Sequence, residues 1–171
     1  MFLELIGVIF AGFAAAGLVM LLGKLLGGRL PRWLAPVAAG LAMIAATITS
    51  EYGWYARSAA ALPEGVVVAQ TVENRSFYRP WTYAVPYVDR FAAVDTATLK
   101  SHADHPGIYL ADVYFFGRWS AVQKRPVWLD CANGRRALAT SGAPFADGRP
   151  AADNWIPAAE DDPILRVACG A

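Results

Sequence analysis

Between Glu4 and Lys24 the chain runs for 19 residues without a charge, LIGVIFAGFAAAGLVMLLG, and between Arg32 and Glu51 for another 18, WLAPVAAGLAMIAATITS. These two runs constrain the fold more than any other feature. At about 1.5 Å per residue, helices over Phe2 to Leu22 and Trp33 to Tyr52 are roughly 30 Å long, which matches the hydrocarbon core of a bilayer. A buried hairpin in a soluble core is the alternative, but soluble helices keep a polar face and these have none. A composition of 56% hydrophobic and 17% charged residues is likewise too apolar for an ordinary soluble domain. The start MFLEL has no basic segment before its apolar run, which argues against a cleaved signal peptide.

The connection GKLLGGRLPR, residues 23–32, carries Lys24, Arg29 and Arg32 and no acidic residue. Short basic loops stay in the cytoplasm, so both ends of the chain are expected on the outer side. Trp33 at one boundary of the second span, and Tyr52, Trp54 and Tyr55 at the other, sit where aromatic rings prefer the membrane interface. Twelve arginines against three lysines, with abundant alanine and glycine, point to a GC-rich bacterial genome. The expected location is therefore a bacterial inner membrane, with residues 1–57 as a transmembrane helical hairpin and residues 58–171 in the periplasm.

Small residues recur at four-residue spacing: Gly7 with Ala11, Gly12 with Ala16, Ala35 with Ala39, and Ala38 with Ala42 and Ala46. Such rows let helix backbones approach closely in lipid. They serve either to pair the two helices with each other or to dock another membrane protein, with Gly7, Ala11, Ala38 and Ala42 as the docking candidates. Pro36 falls in the first turn of its helix, where its missing N–H costs nothing.

Beyond the linker SAAALP the pattern changes to short apolar runs separated by turn residues. Strands are expected over Gly65–Glu73, Arg90–Leu99, Ile108–Phe116, Arg125–Cys131 and Arg135–Thr140. Asn133-Gly134 between the last two is the preferred pair for a two-residue type I′ turn, which sets Cys131 opposite Arg136 and Leu129 opposite Leu138. Val127, Leu129 and Cys131 then share one face, taken as the core side. Near the C-terminus, Asp161 or Asp162 as N-cap and Pro163 at the first helical position mark a short helix that carries Leu165 and Cys169 on one side. The expected fold is a two-helix transmembrane hairpin followed by a small α+β domain with an antiparallel sheet and a short C-terminal helix.

Cys131 and Cys169 are the chain's two cysteines. Both lie beyond the membrane and on faces expected to point inward, which fits a disulfide in an oxidising compartment. The bond closes a loop of 39 residues, worth about 4 kcal/mol in the chain-entropy model. Redox chemistry is disfavoured because no CxxC is present, and a zinc site needs more ligands than two cysteines.

Other signals for chemistry are sparse. His102, Asp104 and His105 in SHADHPG form a weak metal-ligand candidate, against which the following Pro106-Gly107 favours a solvated turn. No GxSxG, HExxH, phosphate-binding glycine loop or dinucleotide fingerprint occurs, and no cofactor is expected. A net charge of +1 gives no field to attract nucleic acid. The segment RSFYRPWTYAVPYVDR is richer, with Phe77, Tyr78, Arg79, Trp81, Tyr83 and Tyr87. It reads either as core filling with an interfacial aromatic belt, or as a partner-binding surface of the aromatic and arginine type that dominates interface hot spots.

From YVDRFAAVD through VWLDC to RVACGA, the chain resembles the small secreted domain of the surface-adhesin protein E family. The matching positions are Tyr87, Val88, Asp89, Asp130, Cys131, Arg135, Arg136, Trp155, Ala168 and Cys169. The resemblance implies a small antiparallel sheet with a terminal helix tied by a Cys131–Cys169 bond. Members of that family are lipoproteins or secreted proteins without a double span, so their adhesive role is not implied here.

These readings converge on a non-catalytic inner-membrane accessory subunit or assembly factor that contacts the lipid bilayer and a membrane or periplasmic protein partner. The runner-up is a membrane-anchored periplasmic ligand-binding or sensor module, followed by a metal-assisted periplasmic enzyme using His102 and His105.

Overall fold

A computed structural model describes residues 2–102, 105–139, 145–146, 149–150, 155–159 and 161–170. The chain divides into two compact units, Met1–Trp54 and Tyr55–Ala171.

The first unit is a pair of helices, α1 (Phe2–Leu25, 24 residues) and most of α2 (Leu34–Ala60, 27 residues). Both are long and apolar enough to cross a membrane. Two glycines end α1: Gly28 N–H donates to Gly23 O at 2.8 Å and Gly27 N–H to Lys24 O at 3.3 Å, with φ of 79° and 68°. This 6→1 and 5→2 pair is a Schellman cap, which needs the left-handed backbone that glycine adopts without strain. Gly12 is buried in the seam between the helices, where an added Cβ would lie 2.9 Å from Met43 Cγ. Ser50 Oγ donates to Glu4 Oε1 at 2.9 Å across the same pair. The helix α2 continues eight residues past the expected end at Tyr52. The sequence GWYARSAA contains no proline, and the helix stops shortly before Pro63, which disfavours helix in the residue preceding it.

The second unit is a curled antiparallel sheet. Its elements are β1 (Val66–Asn74), the short α3 (Trp81–Ala84), β2 (Tyr87–His102), β3 (His105–Gly117), β4 (Ser120–Asp130), β5 (Arg135–Leu138), a two-strand ribbon of β6 (Phe145–Ala146) and β7 (Arg149–Pro150), then β8 (Ile156–Pro157) and α4 (Pro163–Cys169). The six-stranded order is β1-β2-β3-β4-β5-β8. One face of the sheet packs Val94, Ala111, Val113, Val127 and Leu129 against Ile164, Leu165 and Ala168 of α4. The alternate positions Phe91, Ala93 and Trp128 are also buried, so the central strands are covered on both faces. As expected, Asp162 caps α4: its Oδ1 accepts from Ile164 N and Leu165 N, with Pro163 following. Its Oδ2 also holds Arg136 Nη1 at 2.9 Å, which ties α4 to β5.

Three strand expectations need correction. The strand β4 starts at Ser120 rather than Arg125, because its first seven residues are exposed and lack the apolar alternation of a half-buried strand. Pro126 is tolerated there because it lies at the end of the β4–β5 pairing, where its carbonyl still accepts from Ala139 N at 3.0 Å and its missing N–H leaves no ladder bond unmade. The β4–β5 connection is a four-residue loop, Cys131–Gly134, closed by Asp130 opposite Arg135, with Leu129 opposite Arg136. The cause is the Asp130 carboxylate, whose Oδ1 accepts from Asn133 N at 3.1 Å and whose Oδ2 accepts from Asn133 Nδ2 at 2.8 Å. That bonding folds Cys131 and Ala132 into the turn and shifts the register by two residues, so the core face of Val127 and Leu129 is preserved. Of the expected Arg135–Thr140 strand, β5 covers Arg135–Leu138, and Thr140 lies outside the described residues.

Candidate functional site

Cys131 and Cys169 form a disulfide with a Cα–Cα distance of 5.9 Å, well within the usual range. Contrary to the inward placement expected, Cys131 is half-buried in the β4–β5 turn and Cys169 is exposed at the end of α4. The bond therefore clips the helix to the rim of the sheet while aliphatic side chains fill the core. Beside it, Asp130 is only 1% exposed and also takes Arg135 Nη2 at 2.6 Å. Burial pushes its carboxyl up, but the bonds from Arg135 and Asn133 outweigh this and hold it below its ordinary value. Arg135 in turn stacks over Trp155 at 5.2 Å. On the strands, Lys124 Nζ donates to Asp112 at 2.8 Å, and that hydrogen bond and charge raise the lysine above its ordinary value. These are braces of the fold, each charge being spent on a neighbour.

The opposite end of the sheet is built differently. The connection between β1 and β2 is locked from inside: Asn74 Nδ2 donates to Asp89 Oδ2 at 2.8 Å and Ser76 Oγ to Asn74 Oδ1 at 2.9 Å. Thr82, 1% exposed, accepts from Ser76 N at 3.0 Å and donates to Arg79 O at 2.7 Å. This polar lock turns the large side chains outward. Phe77 is 85% exposed, Tyr78 63%, Tyr83 59% and Trp81 46%. The core-filling reading of this segment is thereby overturned for these four rings, while Tyr87, at the start of β2, is buried. Arg79 stacks on Tyr78 at 5.4 Å, and Phe77 meets Tyr78 edge-on at 5.8 Å.

The β3–β4 turn joins the same end. Arg90 on β2 is opposite Gly117 on β3, and Arg118 N–H donates to Asp89 O at 2.8 Å. Trp119, 60% exposed, extends from that turn with Arg118 over its ring at 5.0 Å. Sequence reasoning missed Trp119 because Gly-Arg-Trp-Ser carries no strong hairpin-turn pair and the strand after it lacks an apolar pattern. Val85, 59% exposed, completes the surface.

The remaining candidates are more scattered. Ala11, Ala38 and Ala42 are half-buried on the two helices, whereas Gly7 is exposed, with no atom within 4 Å of an added Cβ. Ala14 and Gly17 fall on the same outward side of α1 as Gly7 and are exposed too; their seven- and three-residue spacings escape a search for four-residue rows. Trp33 is exposed just before α2, and Tyr52, Trp54 and Tyr55 are half-buried within it. Lys24 closes α1, and Arg29 and Arg32 are exposed in the connection. His102 and His105 pair across the β2–β3 hairpin, while Asp104 lies outside the described residues. Among the described residues no group of three His, Cys, Asp or Glu side chains stands close enough to hold a metal ion.

A groove of about 350 Å³ borders α4's side of the sheet, lined by Val72, Ala92 and Phe115 among others, with Gln70, Gln123 and Arg90. Its walls offer an apolar surface and amide groups, without a nucleophile beside a base. Compared with known proteins, the chain matches no family model, no curated protein and no solved structure.

Proposed function

We propose that this chain is a non-catalytic accessory protein of a bacterial inner membrane. Its helical hairpin spans the bilayer and docks a partner membrane protein, and its disulfide-clipped domain stands in the periplasm. The observation that carries the partner reading is the outward face of α1. Leu3, Gly7, Phe10, Ala14, Gly17 and Leu21 lie along one exposed side, and neither Gly7 nor Gly17 has an atom within 4 Å of an added Cβ. Small residues set between Leu and Phe make a notch that admits another helix backbone, the packing that drives association where lipid removes the hydrophobic effect. The basic connection with Lys24, Arg29 and Arg32 supports a cytoplasmic loop, and the Cys131–Cys169 bond supports an oxidising compartment for the domain. The likeness to the surface-adhesin protein E domain belongs to the same proposal, supported by the Asp130-Cys131 turn and the terminal Cys169 helix.

The test is extraction of the tagged full chain in mild detergent and mass spectrometry of what co-purifies. A stoichiometric membrane protein is expected with the native chain and is lost with Gly7→Leu plus Gly17→Leu, both of which point into open space and leave the hairpin intact. A monodisperse monomer without a partner contradicts the reading.

A further inference from the structure

The aromatic end of the sheet has chemistry of its own. Phe77, Tyr78, Trp81, Tyr83 and Trp119 are all substantially exposed on two connections held together by the Arg118–Asp89 bond. Arg75, Arg79, Arg90 and Arg118 are interleaved with them, against the two carboxylates Glu73 and Asp89, so the end carries an excess of positive charge. Rings this exposed are costly in water, and the internal hydrogen bonds of Thr82, Ser76 and Asn74 prevent them from folding inward. Tryptophan, tyrosine and arginine together are the side chains that favour the headgroup layer of a bilayer, where the ring is half in hydrocarbon and the cation meets phosphate.

Within the second unit, Tyr55 packs edge-on against Phe91 at 5.5 Å, and Phe91 is next to Arg90 at the aromatic end. After α2 finishes at Ala60, the chain reaches β1 through Gly65, whose carbonyl accepts from Thr96 N at 2.8 Å, further along β2. The second unit thus begins, at Tyr55, beside the aromatic end of its own sheet. Lipid is the occupant these side chains favour, because the excess of arginine complements anionic headgroups and, on the function proposed above, the same chain spans a bilayer through α1 and α2.

We infer that the end formed by residues 75–85 and Arg118-Trp119 seats on the headgroups of anionic phospholipid, making the outer domain a membrane-apposed unit. The occupant is the lipid surface; a protein covering the same rings is the competing outcome. The full chain is reconstituted in nanodiscs of phosphatidylcholine alone or mixed with phosphatidylglycerol, each doped with a phospholipid bearing a photoreactive headgroup, and labelled peptides are mapped. Labelling is expected in residues 76–85 and at Trp119, stronger with phosphatidylglycerol. Arg75→Gln with Arg79→Gln should reduce the anionic-to-neutral labelling ratio of this segment by about fivefold per arginine, with labelling of α1 and α2 unchanged as the internal control. Labelling confined to the two apolar helices in both lipids overturns the inference. So does labelling of the segment that disappears when membrane extract is added, since a protein then takes the surface. Neither result depends on whether a partner docks on Gly7.

Discussion

Asp130 shows how one side chain sets both a turn and a stability. Its buried carboxylate accepts two bonds from Asn133 and two from Arg135, which converts the Asn133-Gly134 signal from a two-residue into a four-residue loop. Because hydrogen bonding holds its folded pKa below the ordinary value of 3.8, the unfolded chain takes up a proton first as pH falls. The stabilisation is therefore complete above the ordinary carboxylate range and is lost as pH falls through the depressed folded value. Asp130→Asn should cost about 1–3 kcal/mol at neutral pH, read as a lower denaturation midpoint, and the gap to the native chain should close in strong acid. An equal gap at both pH values would show that the charge is not the source. The Asp-Cys-Ala-Asn-Gly stretch announced a turn in the sequence, but its length depended on where a carboxylate bonds, which spacing alone does not encode. The N-cap of α4 was legible because Asp162-Pro163 acts entirely through its own neighbours, whereas the ion pair of Asp162 with Arg136 required the fold.

At the scale of elements, the two helices were readable because 19 and 18 uncharged residues leave few alternatives, and the Schellman cap accounts for the paired glycines at the end of α1. The roles of the small residues were not readable. Four-residue rows do not say which side of a helix meets its neighbour, and the structure separates Gly12, buried against Met43, from Gly7, which faces open space. Gly12→Leu should therefore destabilise the helix pair by about 1–3 kcal/mol, the usual cost of overpacking, whereas Gly7→Leu should leave it unchanged. Reversible unfolding of the two variants in detergent micelles, followed by circular dichroism, checks this; equal effects would remove the distinction between seam and outer face. In the sheet, β1, β2 and β3 were visible as short apolar runs between turn residues, while β4 was half hidden. Its first half forms an exposed ribbon with β3, and only its second half enters the core.

At the scale of the whole molecule, the two units divide the work. The helices supply an apolar body long enough to cross a bilayer, and the domain supplies a sheet clipped at one rim by Cys131–Cys169 and carrying exposed aromatic rings at the other. The sequence displayed those rings without showing whether they pointed in or out. That depended on Thr82, an unremarkable residue in the sequence, whose buried hydroxyl organises the connection. The proposed topology puts the domain across the membrane from the basic connection, on the side where a disulfide persists. The most direct measurement of that arrangement is a pair of fusions to a phosphatase that is active only outside the cytoplasm. A fusion after Ala171 should be active and one between Gly27 and Gly28 inactive; the reverse pattern would place the domain in the cytoplasm and contradict the account.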